Sequence, residues 1–389
     1  MSLKKRIQRY VFWKRHEMRI DRLVRRHELR YLFLEVTRRC NLHCRYCGSS
    51  CTPKEQSAEL STEAWLEIIE QIAHDFDPKR IMVAVTGGEP MLREGVFEIF
   101  AALRKHRFPF GMVSNGTLIT PEVAQKLTAS GIRSISLSMD ALPELNDQLR
   151  GRGSSQKVID AIQHLRDAGY RGKLEIISTI TKPAVATLDE MRAFVASLRL
   201  PLWRVAPVMP IGRAAEQPEL IPNAADIRAI LEFVRASRID KAQPAPEFSE
   251  EGFLGERFEG AVRPYLCQCR AGVSIAGIRA NGKIGACPEL STDFDQGDIK
   301  SERLSTVWKS RYRVFRDRRW TKKGPCASCD RYHVCRGGAL HLYPNAEGDF
   351  LRCLYLMCKE SDTEPTRSLI PTIRRAMPNA GAPKTTSPS

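Results

Sequence analysis

A chain of 389 residues with 42% apolar side chains can bury one large α/β core plus a smaller domain. It starts Met-Ser-Leu-Lys-Lys-Arg, too charged for the apolar part of a signal segment, and it holds no apolar run long enough to cross a membrane. Its twelve cysteines are therefore expected in a reducing cytoplasm, where clustered cysteines read as metal ligands rather than disulfides, and its formal charge of +16 is largely local.

That charge gathers in a basic N-terminal extension: residues 1–30 carry eleven Lys/Arg against three Asp/Glu. Ile7, Tyr10, Val11 and Val24 give it weak helical amphipathicity. Charge runs without interleaved base-stacking aromatics are usually solvent faces. The extension thus reads as a solvated helix packing on the barrel that follows, with nucleic acid not expected as a partner. It is also too short for a separate peptide-recognition domain. Apolar and β-branched runs at 31–36, 81–85, 110–114, 134–138, 174–180 and 202–206 then alternate with helical patterns. Ser61 caps a helix over 63–74, Thr120-Pro121 opens one closed near Gly131, and 156–168 stops at Gly169. Helices of about 188–198 and 224–235 flank the sixth run. Six βα units in a row imply a parallel sheet, here a partial (β/α)6 TIM-like barrel over 31–240. A Pro- and Glu-rich linker at 241–260 leads to a small cysteine-rich C-terminal domain at 261–361. The tail, 362–389, is expected to be disordered.

Every unusual polar element falls at the C-terminal end of an expected strand, the edge where parallel α/β barrels build active sites. Cys40-x3-Cys44-x2-Cys47 follows the first strand, Thr86-Gly-Gly-Glu-Pro90 the second, Ser114-Asn115-Gly116 the third and Ser138-Met-Asp140 the fourth. Gly87 and Gly88 allow the backbone to approach a ligand closely. A [4Fe-4S] cluster has four irons, so three cysteine ligands leave one iron open. With the aromatic Tyr46 before the third cysteine, the pattern resembles the radical S-adenosylmethionine (SAM) superfamily. The resemblance implies that Cys40, Cys44 and Cys47 hold a cluster whose open iron chelates SAM. Gly87, Gly88 and Glu89 then match the motif for the SAM amino group, and Asn115 stands among the cofactor contacts. Ser138 and Asp140 are expected at the ribose hydroxyls and the methionyl carboxylate. Arg150 resembles a family arginine that pairs with that carboxylate through its guanidinium fork, a surface ion pair being its alternative. Met209, in Pro207-Val-Met209, is the side chain expected at adenine.

A second cysteine field comprises Cys269, Gly282-x4-Cys287, Cys326-x2-Cys329-x5-Cys335, Cys353 and Cys358. It resembles the SPASM extension of radical SAM enzymes, which binds two auxiliary iron–sulfur clusters, although one Cys-x2-Cys pair alone also suits a zinc knuckle. The resemblance implies an outer cluster on Cys326, Cys329, Cys335 and Cys353, and an inner one on Cys267, Cys269 and Cys287. The cysteine that the pattern places beyond Cys335, in Cys335-Arg-Gly-Gly-Ala339, is an alanine here, so the inner cluster either keeps an open iron or takes Cys358. Cys51 matches no family role and reads as a free thiol. Sulfatase-maturing relatives carry an aspartate directly after the cysteine matching Cys287, whereas this chain has Pro288 and then Glu289. Formylglycine formation is disfavoured on that ground. Glu289 reads as a surface glutamate, with a displaced base as the alternative.

The expected protein is an oxygen-sensitive radical SAM oxidoreductase. The family implies that ferredoxin or flavodoxin reduces the cluster, that SAM is cleaved to methionine and a 5′-deoxyadenosyl radical, and that this radical takes a hydrogen atom from the substrate. It also implies a peptide or protein substrate, with a tetrapyrrole or other small molecule as the alternative. The competing class is a non-catalytic iron–sulfur electron carrier or a zinc-stabilised binding module. The Gly-Gly-Glu-Pro and Ser138/Asp140 elements argue against both, since neither needs a SAM pocket.

Overall fold

The structure, a computed structural model, describes residues 3–53, 58–241 and 243–359, and the tail expected to be disordered lies outside them. The six expected strands form as β1 (Tyr31–Thr37), β2 (Met82–Gly87), β3 (Phe110–Ser114), β4 (Ser134–Ser138), β5 (Lys173–Ile180) and β6 (Leu202–Pro207). Four more follow: β7 (Pro246–Phe248), β8 (Ile275–Ile278), β9 (Lys283–Gly285) and β10 (Gly297–Asp298). All ten belong to one sheet in the order β10-β9-β8-β1-β2-β3-β4-β5-β6-β7, and β10 and β7 remain separate edges, so the barrel is partial. From β8 to β7 every neighbouring pair is parallel, and only β8–β9 and β9–β10 are antiparallel. Parallel strands are covered by their crossover helices, so their side chains are near-continuously apolar. Leu34, Val85, Ile135, Leu137, Ile176 and Val205 are accordingly completely buried.

The helices are α1 (Leu3–Arg26), α2 (Thr62–Asp75), α3 (Val96–Lys105), α4 (Pro121–Ser130), α5 (Pro143–Arg150), α6 (Ser154–Asp167), α7 (Leu188–Ser197) and α8 (Ala224–Ile239), with shorter ones beyond. Side-chain caps mark several starts. Ser61 accepts the Ala64 amide at 3.1 Å, Thr120 that of Val123 at 3.3 Å, and Asn223 and Asp226 form a reciprocal capping box. Other helices start without a side-chain cap bond: α3 after the left-handed Gly95, α5 after Leu142, α6 after the left-handed Gly153 and α7 after Thr187.

The Pro- and Glu-rich stretch contributes β7, which pairs with β6 through Trp203↔Pro246 and Val205↔Phe248. Phe253, Leu254 and Phe258 beyond it are buried. Its fold turns on Arg263, a completely buried guanidinium that donates to the Glu250 and Gly252 carbonyls and to Glu259 Oε1.

The basic extension is a helix, but it packs on the cysteine-rich half rather than on the barrel. The residues that set its face are Trp13, His16 and Ile20, while Ile7, Tyr10 and Val11 are exposed. Trp13 joins Phe253, Cys267 and Val334 in a small apolar cluster, its ring centroid 5.5 Å from that of Phe253. Ion pairs flank it, Arg9 with Glu256 at 2.6 Å and Arg336 with Asp21 at 2.7 Å. Emptying a buried Trp site costs about 3–5 kcal/mol. Trp13→Ala should therefore release α1 before the rest of the chain unfolds, seen as rapid protease cleavage within residues 3–26 at temperatures where the wild type is resistant.

Candidate active site at the C-terminal edge of the sheet

The loop after β1 folds back on itself and is pinned by Leu149 of α5 and by Arg213 from beyond β6. Cys40 N donates to Thr52 O at 3.1 Å, and Arg45 N to Leu149 O at 3.0 Å. Arg213, beyond β6, donates its amide to Cys47 O (3.0 Å), Nε to Cys44 O (2.8 Å) and Nη1 to Cys51 O (2.9 Å). Gly212 beside it adopts φ +55°, and a Cβ there would stand 2.3 Å from Gly48 O. Only glycine fits that left-handed close approach. Sequence reasoning gave Arg213 no role, although it lies four residues beyond Met209, the side chain expected at adenine.

The glycine pair after β2 serves the same loop. Cβ atoms on Gly87 and Gly88 would lie 2.3 Å from Thr37 O and Arg39 O. The Gly88 and Glu89 amides are spent on those two carbonyls, both at 2.9 Å. The motif therefore seats the cysteine loop against β2, leaving its carbonyls, rather than these amides, for a ligand.

Glu89 and Asp140 stand behind the cavity wall. Glu89 is completely buried and accepts from Ser114 Oγ (2.9 Å), Asn115 N (2.7 Å) and Met91 N (3.1 Å), which fastens the end of β2 to that of β3. Burial pushes its carboxyl pKa up. Asp140 Oδ2 receives both the Tyr46 hydroxyl and Arg150 Nη1, and Oδ1 receives the Thr179 amide at 2.6 Å. With its oxygens so occupied, Asp140 fixes Tyr46 and Arg150 rather than facing the cavity.

The remaining expected side chains meet in one cavity of about 230 Å³. Its walls include Cys40, Cys44 and Cys47, together with Tyr46, Gly87, Gly88, Asn115, Ser138, Arg150 and Met209. Asn115 Nδ2 bonds Asn41 Oδ1 at 2.9 Å and lies 3.9 Å from Cys40 Sγ. Burial pushes the Cys40 and Cys44 thiols up, while a hydrogen bond from Cys51 brings Cys47 down to about 5 and holds Cys51 up. Cys51 is thus buried, with its thiol beside that of Cys47. Glu250, Glu289 and His341 reach the same cavity from the C-terminal half. Glu289 is itself exposed, as a surface residue, yet it reaches the cavity.

In the second field Cys335 lies within electrostatic reach of Cys326, Cys329 and Cys353, and Cys287 within reach of Cys269, while Cys267 senses Cys335. Cys358 is buried on the helix Leu354–Lys359, which packs on α8, and Ala339 is buried. None of the twelve cysteines is in a disulfide. Among the described residues no three His, Cys, Asp or Glu side chains are grouped so as to hold a single metal ion. Three thiols that line one cavity fit an iron–sulfur cluster with a ligand beside it.

Comparison with known proteins agrees with this geometry. The radical SAM superfamily matches residues 34–196, and SPASM, an iron–sulfur cluster-binding domain, matches 267–330. The chain is 33% identical over 312 residues to mycofactocin maturase MftC of Mycolicibacterium smegmatis, covering 79% of this chain and 76% of that protein. It is 28% identical over 335 residues to the AdoMet-dependent heme synthase of Nitratidesulfovibrio vulgaris, covering 82% and 89%. Its fold is similar to that of Streptococcus suis SuiB solved with the precursor peptide SuiA, with a TM-score of 0.65 at 21% identity over 84% of this chain and 77% of that one. The chain belongs to the radical SAM superfamily. It is an enzyme that works with a [4Fe-4S] cluster and SAM, and its SPASM region with auxiliary iron–sulfur clusters. No helix among the described residues is long and apolar enough to cross a membrane.

A hydrogen bond to a charged group contributes about 1.5–3 kcal/mol, and an ammonium cannot reproduce a guanidinium fork. Both Arg213→Ala and Arg213→Lys should loosen the cysteine loop. Anaerobically reconstituted variants should hold less iron at the N-terminal site and melt at lower temperature than the wild type.

Proposed function

We propose that this chain is a maturase that removes a hydrogen atom from a peptide or protein substrate, using a cluster on Cys40, Cys44 and Cys47. The observation that carries the reading is the shared cavity, in which the three thiols face the same space as Glu250, Glu289 and His341. A substrate placed there lies between the barrel, residues 31–240, and the SPASM-like region, 261–361. The maturase similar at 33% identity supports a peptide as that substrate. The cluster and SAM, when bound, supply the one-electron chemistry.

The protein's part is binding and orientation. The Gly87 and Gly88 carbonyls and the Asn115 and Ser138 side chains offer polar contacts to SAM, and Met209 offers an apolar one. Arg150 Nη1 is held by Asp140, and its other nitrogens bond no described residue, so they serve an anionic group such as the SAM carboxylate. Glu89 and Asp140 act through the groups they hold. Cys326, Cys329, Cys335 and Cys353 are assigned to an outer auxiliary cluster, and Cys267, Cys269 and Cys287 to an inner one. A cytoplasmic ferredoxin or flavodoxin is the proposed electron donor. Tetrapyrrole modification is the second reading, favoured by the heme synthase whose length the chain covers to 89%.

Three clusters require about twelve irons per chain. Replacing Cys40, Cys44 and Cys47 together by Ala should lower that to about eight and abolish 5′-deoxyadenosine formation from SAM and dithionite. Wild-type protein with full iron that leaves SAM intact overturns the enzymatic assignment of the triad. Stimulation of 5′-deoxyadenosine release by short peptides, but not by a carboxylated iron tetrapyrrole, supports the maturase reading, and the opposite pattern replaces it with the second.

Ala339 cannot ligate iron. If the inner cluster keeps an open iron, Ala339→Cys should change its paramagnetic spectrum and Cys358→Ser should not; if Cys358 closes it, Cys358→Ser should change the spectrum. Full iron content with a spectrum unmoved by both substitutions refutes the inner ligand assignment.

A further inference from the structure

Glu250 differs from the other buried carboxylates around the cavity. It is only 7% exposed. Oε1 accepts the Glu251 amide at 2.8 Å and lies 3.5 Å from His341 Nε2. Oε2 hydrogen-bonds no described residue, and the side chain lines the cavity shared with the cysteine triad. Glu89 and Asp140, by contrast, each receive three donors. A carboxylate withdrawn from water without a full set of partners is costly to keep. The fold nonetheless fixes it there, because Arg263 grips the Glu250 carbonyl and that of Gly252 on the same loop. His341 is held opposite it in the turn Leu340–Leu342, its side chain only 11% exposed.

We propose that Glu250 is the substrate's proton acceptor and that His341 shares the proton with it. This rests on the reading of the cavity as the substrate site of a radical SAM enzyme. In the oxidation of an H–C–X–H unit, where X is nitrogen or oxygen, the C–H hydrogen leaves as an atom with one electron. The X–H proton goes to Glu250 Oε2, a C=X double bond forms, and the second electron leaves to an iron–sulfur cluster. The proton then passes to His341 Nε2 and on to water. The alternative base suggested by the sequence, Glu289, is exposed and would exchange protons with bulk solvent.

The titratable and charged groups around Glu250 are His341, Glu289 and Glu251, with the Arg263 guanidinium on its backbone carbonyl. Burial, opposed by His341 and reinforced by Glu289, pushes the Glu250 carboxyl up to about 7. A base must be deprotonated to accept, so product yield should rise with pH through that region.

The test uses the reconstituted holoenzyme with SAM, dithionite and whichever probe, peptide or iron tetrapyrrole, stimulates wild-type 5′-deoxyadenosine release. General-base removal typically costs 10²–10⁴-fold. Glu250→Gln should lower product formed per 5′-deoxyadenosine by about 100-fold and flatten its pH profile, Glu250→Asp should recover part of it, and His341→Ala should move the pH limb. Infrared titration of the holoenzyme before turnover should show a protonated-carboxyl band that fades near neutrality and is missing in Glu250→Gln. A wild-type product ratio and pH limb in Glu250→Gln overturn the proposal. Failure of the wild type to cleave SAM at all counts instead against the reading of the site.

Discussion

Asp140 ties the site together. Its carboxylate is 1% exposed and joins the cysteine loop through Tyr46, α5 through Arg150 and β5 through the Thr179 amide. Its own amide donates to Asn146 Oδ1 at 2.9 Å, and Asn146 Nδ2 passes on to Ser154 and Ser155 at the start of α6. Taking such a charge out of water costs several kcal/mol, which is offset only when an opposite charge and good hydrogen bonds meet it in fixed geometry. Arg150 supplies the charge. The reward is positional: four elements that diverge from the sheet edge are held at fixed offsets, so the thiols of the loop and the Arg150 fork share one cavity.

The rest of the wall is built on the same economy of polar groups. Glu89 locks β2 to β3 and the glycine pair seats the cysteine loop on β2, while Arg213 returns from beyond β6 to close the loop from the other side. Backbone carbonyls of the cysteine loop are thereby neutralised by fixed donors, and its thiols are left for a ligand. On the C-terminal side the Arg263–Glu259 pair does for the Glu250 loop what Asp140 does for the cysteine loop.

Much of this was legible in the sequence. The six β/α strands, the helix starts at Ser61 and Thr120, and the gathering of chemistry at one sheet edge all follow from period, caps and spacing. Cap logic passed over α3 and α5, neither of which begins on a capping side chain, whereas the equally uncapped α6 was legible from its stop at Gly169. β7 was hidden by its three-residue length and its leading Pro246. The face of α1 was misjudged because exposed Ile7, Tyr10 and Val11 outnumber the buried Trp13 and Ile20 that dock it. Spacing places Glu89 and Asp140 at strand ends, but it cannot say whether a side chain there faces a ligand or braces its neighbours. That depends on the donors that arrive from distant segments, such as Thr179 for Asp140. Glu250 and His341 carry no motif, and only the folded chain brings them to the cysteines.

The position of β1 has a consequence for biosynthesis. Tyr31 pairs with Met82 on one side and with Ile275 on the other. As the chain leaves the ribosome β2 arrives early, but the opposite edge of β1, with Leu32 and Leu34, stays bare until β8 emerges. A bare apolar strand edge recruits other chains, and parallel pairings of such long sequence separation form slowly. Among β1 to β6, the strand that launches the cysteine loop is thus the last to gain its second neighbour, and any nascent or truncated chain ending before residue 275 presents that edge to whatever it meets.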